Sequence, residues 1–306
     1  MIDHPALAGL PLVLGGNVFG WTADRDASFA VLDAFYEAGG RMIDTADVHS
    51  AWVEGHKCGE SETVLSEWLA SRGVRKDMRI HTKTGMLGGK ELFEPARLLQ
   101  SLDASLERLR TDYLDLYYAH KDYPELEPAA IVEAFDGAVK AGKVRALGAS
   151  NFDADRLGAM LQAAETAGAE AFSVLQNEYN LVSRSKFDPE LQALCAREGI
   201  PMLPFYGLAA GYLTGKYRKP EDFEGGARSY RVKDYADCGR VLDAMDKVAE
   251  ETGASHAAIA LAWLREQPGI GAPIASARKP EQLDDLLAST RLDLSDDQLA
   301  ALSAAL

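Results

Sequence analysis

Cysteine, long apolar runs and a leader pattern are scarce or missing in this sequence. Its three cysteines, Cys58, Cys195 and Cys238, are too few and too widely spaced for a disulfide framework or a zinc site. No apolar stretch approaches the ~18 residues that a membrane-spanning helix needs. The first residues lack the basic and apolar segments of a signal peptide. We therefore expect a cytoplasmic protein without a metal site or membrane anchor.

Basic residues are also in deficit. The chain has 32 Lys and Arg against 47 Asp and Glu, a net charge of −15. Such a chain repels phosphate backbones and anionic membranes over most of its surface, which argues against nucleic-acid and membrane binding. The deficit is uneven, because residues 206–235 hold six Lys and Arg against four Asp and Glu. A local basic site for a small anionic ligand therefore stays open.

The sequence alternates regularly between short apolar runs and longer helical patterns. Eight runs have the length of buried strands, at 12–14, 42–43, 78–81, 114–118, 144–148, 172–175, 201–203 and 272–274. Each is followed by helical periodicity, as at 95–110, where leucines recur at intervals of three and four after Pro95. Eight strand–helix units predict an α/β fold, a closed (β/α)8 TIM barrel with residues 1–306 as a single domain.

The main alternative is an open doubly wound sheet with a G-x-G-x-x-G fingerprint after an early strand. The glycines at 15, 16 and 20 do not have that spacing, so the barrel is favoured. The interval between the seventh and eighth runs is unusually long. We expect helices there at 237–251 and 256–266, and a long loop at about 207–235. In a barrel that loop would lie at the C-terminal face, where active sites are built.

Polar residues at the C-terminal ends of barrel strands are the first candidates for chemistry. Seven of them follow the second to sixth predicted strands: Asp44, Lys83, His120, Ser150, Asn151, Gln176 and Asn177. Because they come from successive strands, they can meet at the barrel mouth. A lysine beside an aspartate in a partly dry cleft can fix charge near a reacting oxygen. A nearby neutral histidine can donate a hydrogen bond to a carbonyl.

Several of these residues lie in longer motifs. They are IDTADV at 43–48, GESE at 59–62, TKTG at 82–85, DLYYAH at 115–120, GKVRALGASNF at 142–152 and QNEYN at 176–180. Together they resemble the signature of the aldo-keto reductases, over nearly the whole chain. The resemblance implies a barrel that binds a nicotinamide cofactor, usually NADPH, without a Rossmann domain. It also implies hydride transfer between that cofactor and a carbonyl or alcohol.

The family's catalytic set is Asp, Tyr, Lys and His, and the resemblance assigns three of these places to Asp44, Lys83 and His120. The tyrosine normally stands five residues after the aspartate, where this sequence has His49. A positive Lys83 beside it would favour a neutral imidazole, which is a reasonable base and a poor acid. Three interpretations remain open: a native adaptation toward alcohol oxidation, a cofactor-binding or redox-sensing chain with little turnover, and an active-site Tyr-to-His variant of an ordinary reductase.

The resemblance also implies a cofactor site. Ser150, Asn151 and Gln176 would bind the nicotinamide carboxamide and Tyr206 would stack on the ring. The phosphate and adenine end would be formed by Gly207, Leu208, Lys216, Arg228, Ser276, Arg278 and Gln282. Gly207 stands where the family usually has serine. Because a guanidinium binds phosphate strongly, Arg278 facing the 2′-phosphate predicts a preference for NADP(H) over NAD(H).

Aromatic residues after the first, second and fourth strands are candidates for the substrate wall, namely Phe19, Trp21, Trp52 and Tyr123. Such rings form apolar or sugar-stacking surfaces, although they can equally pack beneath loops. The expected partner is a small carbonyl or alcohol, such as an aldehyde, a ketone or a sugar-like molecule. A phosphate-binding barrel lyase or isomerase is a third class, and the oligomeric state stays open.

Overall fold

Parallel strands form the wall of a barrel in the computed structural model, which describes residues 3–224 and 229–306. The strands are β1 Val13–Gly15, β2 Met42–Asp44, β3 Arg79–Thr84, β4 Leu116–Ala119, β5 Leu147–Ser150, β6 Phe172–Gln176 and β7 Ile274–Ala275. Within one sheet they run in the order β6-β5-β4-β3-β2-β1-β7, and all pairs are parallel. Neighbours in sequence are thus neighbours in space, as the strand–helix repeat predicted.

The segment 201–205 closes the barrel between β6 and β7, and a regular strand was predicted within it at 201–203. It forms isolated parallel bridges instead, with Met202 pairing with Leu175 on one side and with Ile270 on the other. Pro201 and Pro204 lack the backbone N–H that a continuous ladder requires. The (β/α)8 barrel prediction is confirmed, but its seventh strand is reduced to these bridges.

Helices surround the wall. They are α1 Arg25–Glu37, α2 Glu60–Arg72, α3 Pro95–Leu109, α4 Pro128–Lys140, α5 Ala154–Ala167, α6 Pro189–Glu198, α7 Ser229–Val232, α8 Gly239–Thr252, α9 His256–Arg265, α10 Pro280–Ala288 and α11 Asp296–Ala304. In α3, Pro95 occupies the first turn, and Leu98, Leu102, Leu106 and Leu109 are buried. Among the described residues, no helix is long and apolar enough to cross a membrane.

The region predicted as a long loop contains several short helical elements. It contains short 3₁₀ turns at Ala209–Thr214, Pro220–Phe223 and Lys233–Tyr235, besides α7. Tyr212 and Tyr235, both buried, pack with ring centroids 5.8 Å apart and anchor this region to the core. Helices α8 and α9 follow within two residues of their predicted positions.

Alternate strand residues divide the core into two layers. Those of the first layer fill the barrel interior, among them Val13, Met42, Leu116, Tyr118, Val174, Leu203 and Ile274, with Ala6 and Leu7 from the N-terminal segment. Those of the second layer, such as Leu14, Ile43 and Ile80, pack against the surrounding helices. Because the interior is filled with side chains, a ligand site of this barrel is expected beyond the strand ends.

Candidate active site

A buried ion pair forms the floor of the site. Lys83 Nζ on β3 lies 2.6 Å from Asp44 Oδ2 on β2, and both side chains are buried. The ammonium also donates to the Thr45 carbonyl oxygen at 2.8 Å. Gln176 Nε2, at the end of β6, donates to Asp44 Oδ1 at 2.8 Å. Three strands therefore converge on one carboxylate, as their position at strand ends predicted.

The surroundings of Lys83 favour its neutral form more than water does. Burial lowers the pKa of the ammonium, while the charge and hydrogen bond of Asp44 oppose this shift. The negative charges of Asp47 and Glu62 also favour the protonated form. Lys83 is thus a cation held in a dry environment by carboxylates, which is where a charge acts most strongly on a developing oxyanion.

Two histidine rings are arranged edge to face above this floor. The rings of His49 and His120 have centroids 6.4 Å apart with an interplanar angle of 79°, and both are mostly buried. His120 follows β4, and its backbone N–H donates to the Thr84 carbonyl oxygen at 2.8 Å. Burial lowers the pKa of His120 well below its usual range, and the charge of Lys83 adds to this shift. His120 is therefore a neutral hydrogen-bonding group at neutral pH.

Strained backbone marks the residues assigned to the nicotinamide. Asn151 has φ 63° and Tyr206 has φ 56°, in the left-handed region of backbone conformation that residues other than glycine rarely adopt. Asn151 is held there because its N–H donates to Asn177 Oδ1 at 2.7 Å and its Nδ2 donates to the His120 carbonyl oxygen at 2.9 Å. Asn180 Nδ2 donates to the Tyr206 carbonyl oxygen at 3.0 Å.

Glycine at 207 has a steric reason. A Cβ at this position would lie 2.9 Å from Leu261 Cδ2 and 3.1 Å from Leu264 Cδ1, both on α9. Space that a serine side chain would need is thus filled by two leucines. Contact with a phosphate at this point would have to come from the backbone.

The opposite end of the site lies beside the start of α10. The backbone N–H of Arg278 donates to Gln282 Oε1 at 2.9 Å, which fixes the loop before the helix. Ser276 Oγ donates to Asn17 Oδ1 at 2.7 Å and so joins this loop to the one after β1. Arg228, assigned to the same end from the sequence, lies outside the described residues.

One cavity of about 700 Å³ connects these groups. Its lining includes the four candidate catalytic residues Asp44, His49, Lys83 and His120. It also includes the candidate cofactor residues Ser150, Asn151, Gln176, Tyr206, Gly207, Leu208, Lys216, Ser276, Arg278 and Gln282. This volume is in the range of cofactor and small-molecule sites.

The four aromatic candidates for the substrate wall separate into two pairs. Trp21 and Trp52 line the cavity and meet edge to face, with centroids 5.3 Å apart, and Trp52 is 54% exposed. Phe19 is fully buried in the core and does not line the cavity. Tyr123 is also absent from the lining, because its hydroxyl donates to the Gly85 carbonyl oxygen at 2.6 Å and its ring packs on Phe93.

Residues whose specific roles could not be predicted complete the site. Asn177 holds Asn151 and also donates through Nδ2 to the carbonyl oxygens of Phe152 and Lys186. Its place in the QNEYN motif was visible, but not its bonds. Asn17, Met86 and Phe205 also line the cavity, and no pattern in the sequence distinguishes them.

Three basic residues of the 206–235 region, Arg218, Arg231 and Lys233, are paired with acids. Arg218 pairs with Asp246 at 2.6 Å, and Arg231 pairs with Glu178 at 2.5 Å. Lys216 and Arg278 differ: both line the cavity, and neither forms a salt bridge within residues 3–224 and 229–306. Within the described part of the cavity wall, these two side chains are cations without an acidic partner.

Comparison with known proteins gives a match to one family. The model of the Aldo/keto reductase family matches residues 11–306. Norsolorinic acid reductase stcV of Emericella nidulans is 33% identical over 96% of this chain and 78% of its own length. Aryl-alcohol dehydrogenase [NADP(+)] of Phanerodontia chrysosporium is 31% identical over 92% of this chain and 76% of its own length. The chain belongs to the aldo/keto reductase family of nicotinamide-dependent oxidoreductases.

Proposed function

We propose that this protein is an NADP(H)-dependent oxidoreductase that interconverts an alcohol and its carbonyl compound, with a bias toward alcohol oxidation. The observation that carries this is the Lys83–Asp44 pair, which lies in the same cavity as His49 and His120. Two cations, Lys216 and Arg278, line that cavity as well. A nicotinamide cofactor bound here would supply or accept the hydride.

The protein's own groups would handle the oxygen and its proton. Lys83, held by Asp44, places positive charge where the substrate oxygen becomes an alkoxide. Neutral His120 donates a hydrogen bond that orients this oxygen. His49 accepts the hydroxyl proton during alcohol oxidation. The histidine at 49 favours this direction, because a neutral imidazole accepts a proton more readily than it donates one.

The direction of the reaction can be tested by His49→Tyr. We expect this substitution to raise kcat for carbonyl reduction and to lower kcat for alcohol oxidation, both measured with saturating cofactor. Unchanged or faster oxidation in His49→Tyr would rule out the proposed adaptation. If the unaltered protein binds NADPH in a fluorescence titration but turns over no carbonyl or alcohol, a redox-sensing role replaces the enzymatic one. The redox-sensing role is the second candidate function because His49 replaces the usual catalytic tyrosine.

The preference for NADP(H) rests on Arg278 and Lys216. Both side chains line the cavity and form no salt bridge with the described residues, so they can meet phosphate charge. A relative whose name includes NADP(+) supports the same choice. We expect NADPH to bind more tightly than NADH and Arg278→Ala to remove most of the difference. Arg291→Ala, an exposed arginine outside the cavity, is the matched control. Equal affinities in the unaltered protein would refute the preference.

The substrate wall is proposed to consist of Trp21 and Trp52. Met86 lines the same cavity and is also exposed, so this wall is apolar and reaches the solvent. The neighbouring charged groups, Asp44 and Lys83, are engaged with each other on the floor. An uncharged aldehyde, ketone, alcohol or sugar-like ring fits these surroundings.

The remaining assignments concern the setting of the protein. Its cysteines Cys58, Cys195 and Cys238 form no disulfide, which is consistent with the cytoplasm. The net charge of −15 supports a protein that does not bind nucleic acid. We place residues 1–306 in a single domain, because the barrel and its covering segment share the cavity.

A further inference from the structure

A second group of ionisable residues lies behind the barrel wall, on the other side of β3 from the active site. Lys83 points to the cavity, whereas its neighbours Thr82 and Thr84 point toward the helices. Thr82 Oγ1 donates to Glu62 Oε1 of α2 at 2.7 Å. Thr84 Oγ1 donates to Asp47 Oδ2 at 2.8 Å. One strand thus contacts the active site on one face and two buried carboxyl groups on the other.

The two carboxyl groups share one cation unequally. Arg108 Nε of α3 lies 2.6 Å from Glu62 Oε2 and is the partner of that residue. Asp47 is only 3% exposed and makes no salt bridge with the described residues. Its Oδ1 forms no hydrogen bond of good geometry with them, although the Val48 amide lies near the carboxylate. Of these two carboxyl groups, Asp47 is therefore the one whose negative charge is less compensated.

The surroundings of Asp47 include groups from every neighbouring element. They are Cys58 before α2, Glu62 on α2, Lys83 and Thr84 on β3, Ser101 and Arg108 on α3, and Tyr117 on β4. Burial raises the pKa of Asp47 to about 6, and the Thr84 hydroxyl opposes this shift. Asp47 thus changes charge within the pH range in which enzymes commonly operate.

Asp47 is connected to the active site in two ways. It lies in the short segment between Asp44 and His49, and its N–H donates to the Lys83 carbonyl oxygen at 3.2 Å. The hydroxyl bond from Thr84 ties the same segment to β3 a second time. In addition, the negative charge of Asp47 favours the ammonium form of Lys83 across the strand.

We propose that Asp47 is a positioning residue whose ionised carboxylate, anchored by Thr84, holds the His49 segment against β3 and supports the charge of Lys83. Protonation of Asp47 then weakens both effects and lowers turnover on the acid side of neutrality. The inference rests on the proposed oxidoreductase function, since turnover is one of its readouts. It adds a control of pH dependence from outside the cavity.

The test compares pH profiles of kcat/KM for the unaltered protein and four variants. We expect kcat/KM of the unaltered protein to fall roughly three- to tenfold between pH 7.5 and pH 5. This change lies in the lower part of the range of interaction energies between residues of one hydrogen-bond network. In Asp47→Asn, kcat/KM should depend much less on pH over this range. Thr84→Val, which removes the donor, should shift the midpoint to higher pH, whereas Thr84→Ser should restore it. Glu54→Gln, an exposed acid on the same loop, is the control for charge.

A measurement without turnover keeps the outcomes separate. Infrared difference spectra of the unaltered protein against Asp47→Asn should show a protonated carboxyl band that disappears above pH 6. In Thr84→Val, the pH at which this band disappears should be higher. An acid limb that persists in Asp47→Asn, or no such band, overturns the inference. If no variant turns over any substrate, the proposed function fails, while the infrared titration still decides the ionisation of Asp47.

Discussion

The Lys83–Asp44 pair is the part of the site whose removal has the most definite consequence. At 2.6 Å the gross attraction between two unit charges is about 6 kcal/mol for an effective dielectric constant of ~20. Desolvation of both groups offsets part of this attraction. Replacing Lys83 alone leaves a buried Asp44 carboxylate with the Gln176 amide as its remaining side-chain donor among the described residues. Breaking one side of such a pair costs about 3–5 kcal/mol.

We therefore expect Lys83→Met to lower the free energy of unfolding by about 3–5 kcal/mol, or the melting temperature by roughly 6–10 °C at ~2 °C per kcal/mol. The double variant Asp44→Asn/Lys83→Met removes both charges and should recover most of this loss. Asp44→Asn alone should be less harmful at pH 9 than at pH 6. Burial already lowers the pKa of Lys83, and losing Asp44 lowers it further, so high pH neutralises the unpaired amine.

Urea unfolding followed by circular dichroism, with the four proteins of this double-mutant cycle, measures these differences. Lys76→Met, an exposed lysine without a salt bridge among the described residues, should change stability by less than about 0.5 kcal/mol. Two results would refute the reasoning. One is a loss below about 1 kcal/mol for Lys83→Met. The other is a double variant as unstable as the sum of the single ones, since the charges would then not be coupled.

Three further predictions concern separate parts of the molecule. The pKa of Asp47 is raised to about 6 in the folded protein, so the folded state binds this proton more tightly than the unfolded chain does. The resulting stabilisation is complete at low pH and is lost as pH rises through 6. Asp47→Asn should thus gain up to about 3 kcal/mol relative to the unaltered protein between pH 4 and pH 7.5, measured by urea unfolding at both values, and a parallel pH dependence would contradict this. Gly207→Ser should lose roughly 1–3 kcal/mol through contact with Leu261, and Leu261→Ala in the same chain should relieve the crowding but not simply add to it. Trp52→Ala should raise KM for aromatic alcohols several-fold and leave the melting temperature nearly unchanged, since the ring is exposed; an unchanged KM would remove Trp52 from the substrate wall.

The barrel could be predicted because its pattern is local. Apolar runs and helical periods follow from neighbouring residues, and Asp44, Lys83 and Gln176 were visible as polar residues ending such runs. The exact strand limits could not be predicted. Residues 201–203 were predicted to form a strand, but Pro201 and Pro204 limit this segment to isolated bridges, since pairing depends on which N–H groups face a neighbour.

Side-chain direction was the information missing from the sequence at the site. Phe19 and Trp21 are two residues apart after the same strand, yet Phe19 enters the core and Trp21 lines the cavity. Asp47 lies in the same motif as Asp44, yet it points to the helices and not to the cavity. A loop does not impose the strict alternation of a strand, so only the folded chain decides these directions.

Charge counting shows the same limit in a different way. The excess of basic residues at 206–235 suggested a positive loop, but Arg218 and Arg231 form ion pairs with acids of other segments. A paired cation in water attracts a phosphate weakly, because its partner and the solvent screen it. The cations that line the described cavity wall without an acidic partner are instead Lys216 and Arg278. A protein of net charge −15 can therefore attract a small phosphate-bearing molecule at one place, because attraction at contact depends on which charges remain uncompensated and not on the total.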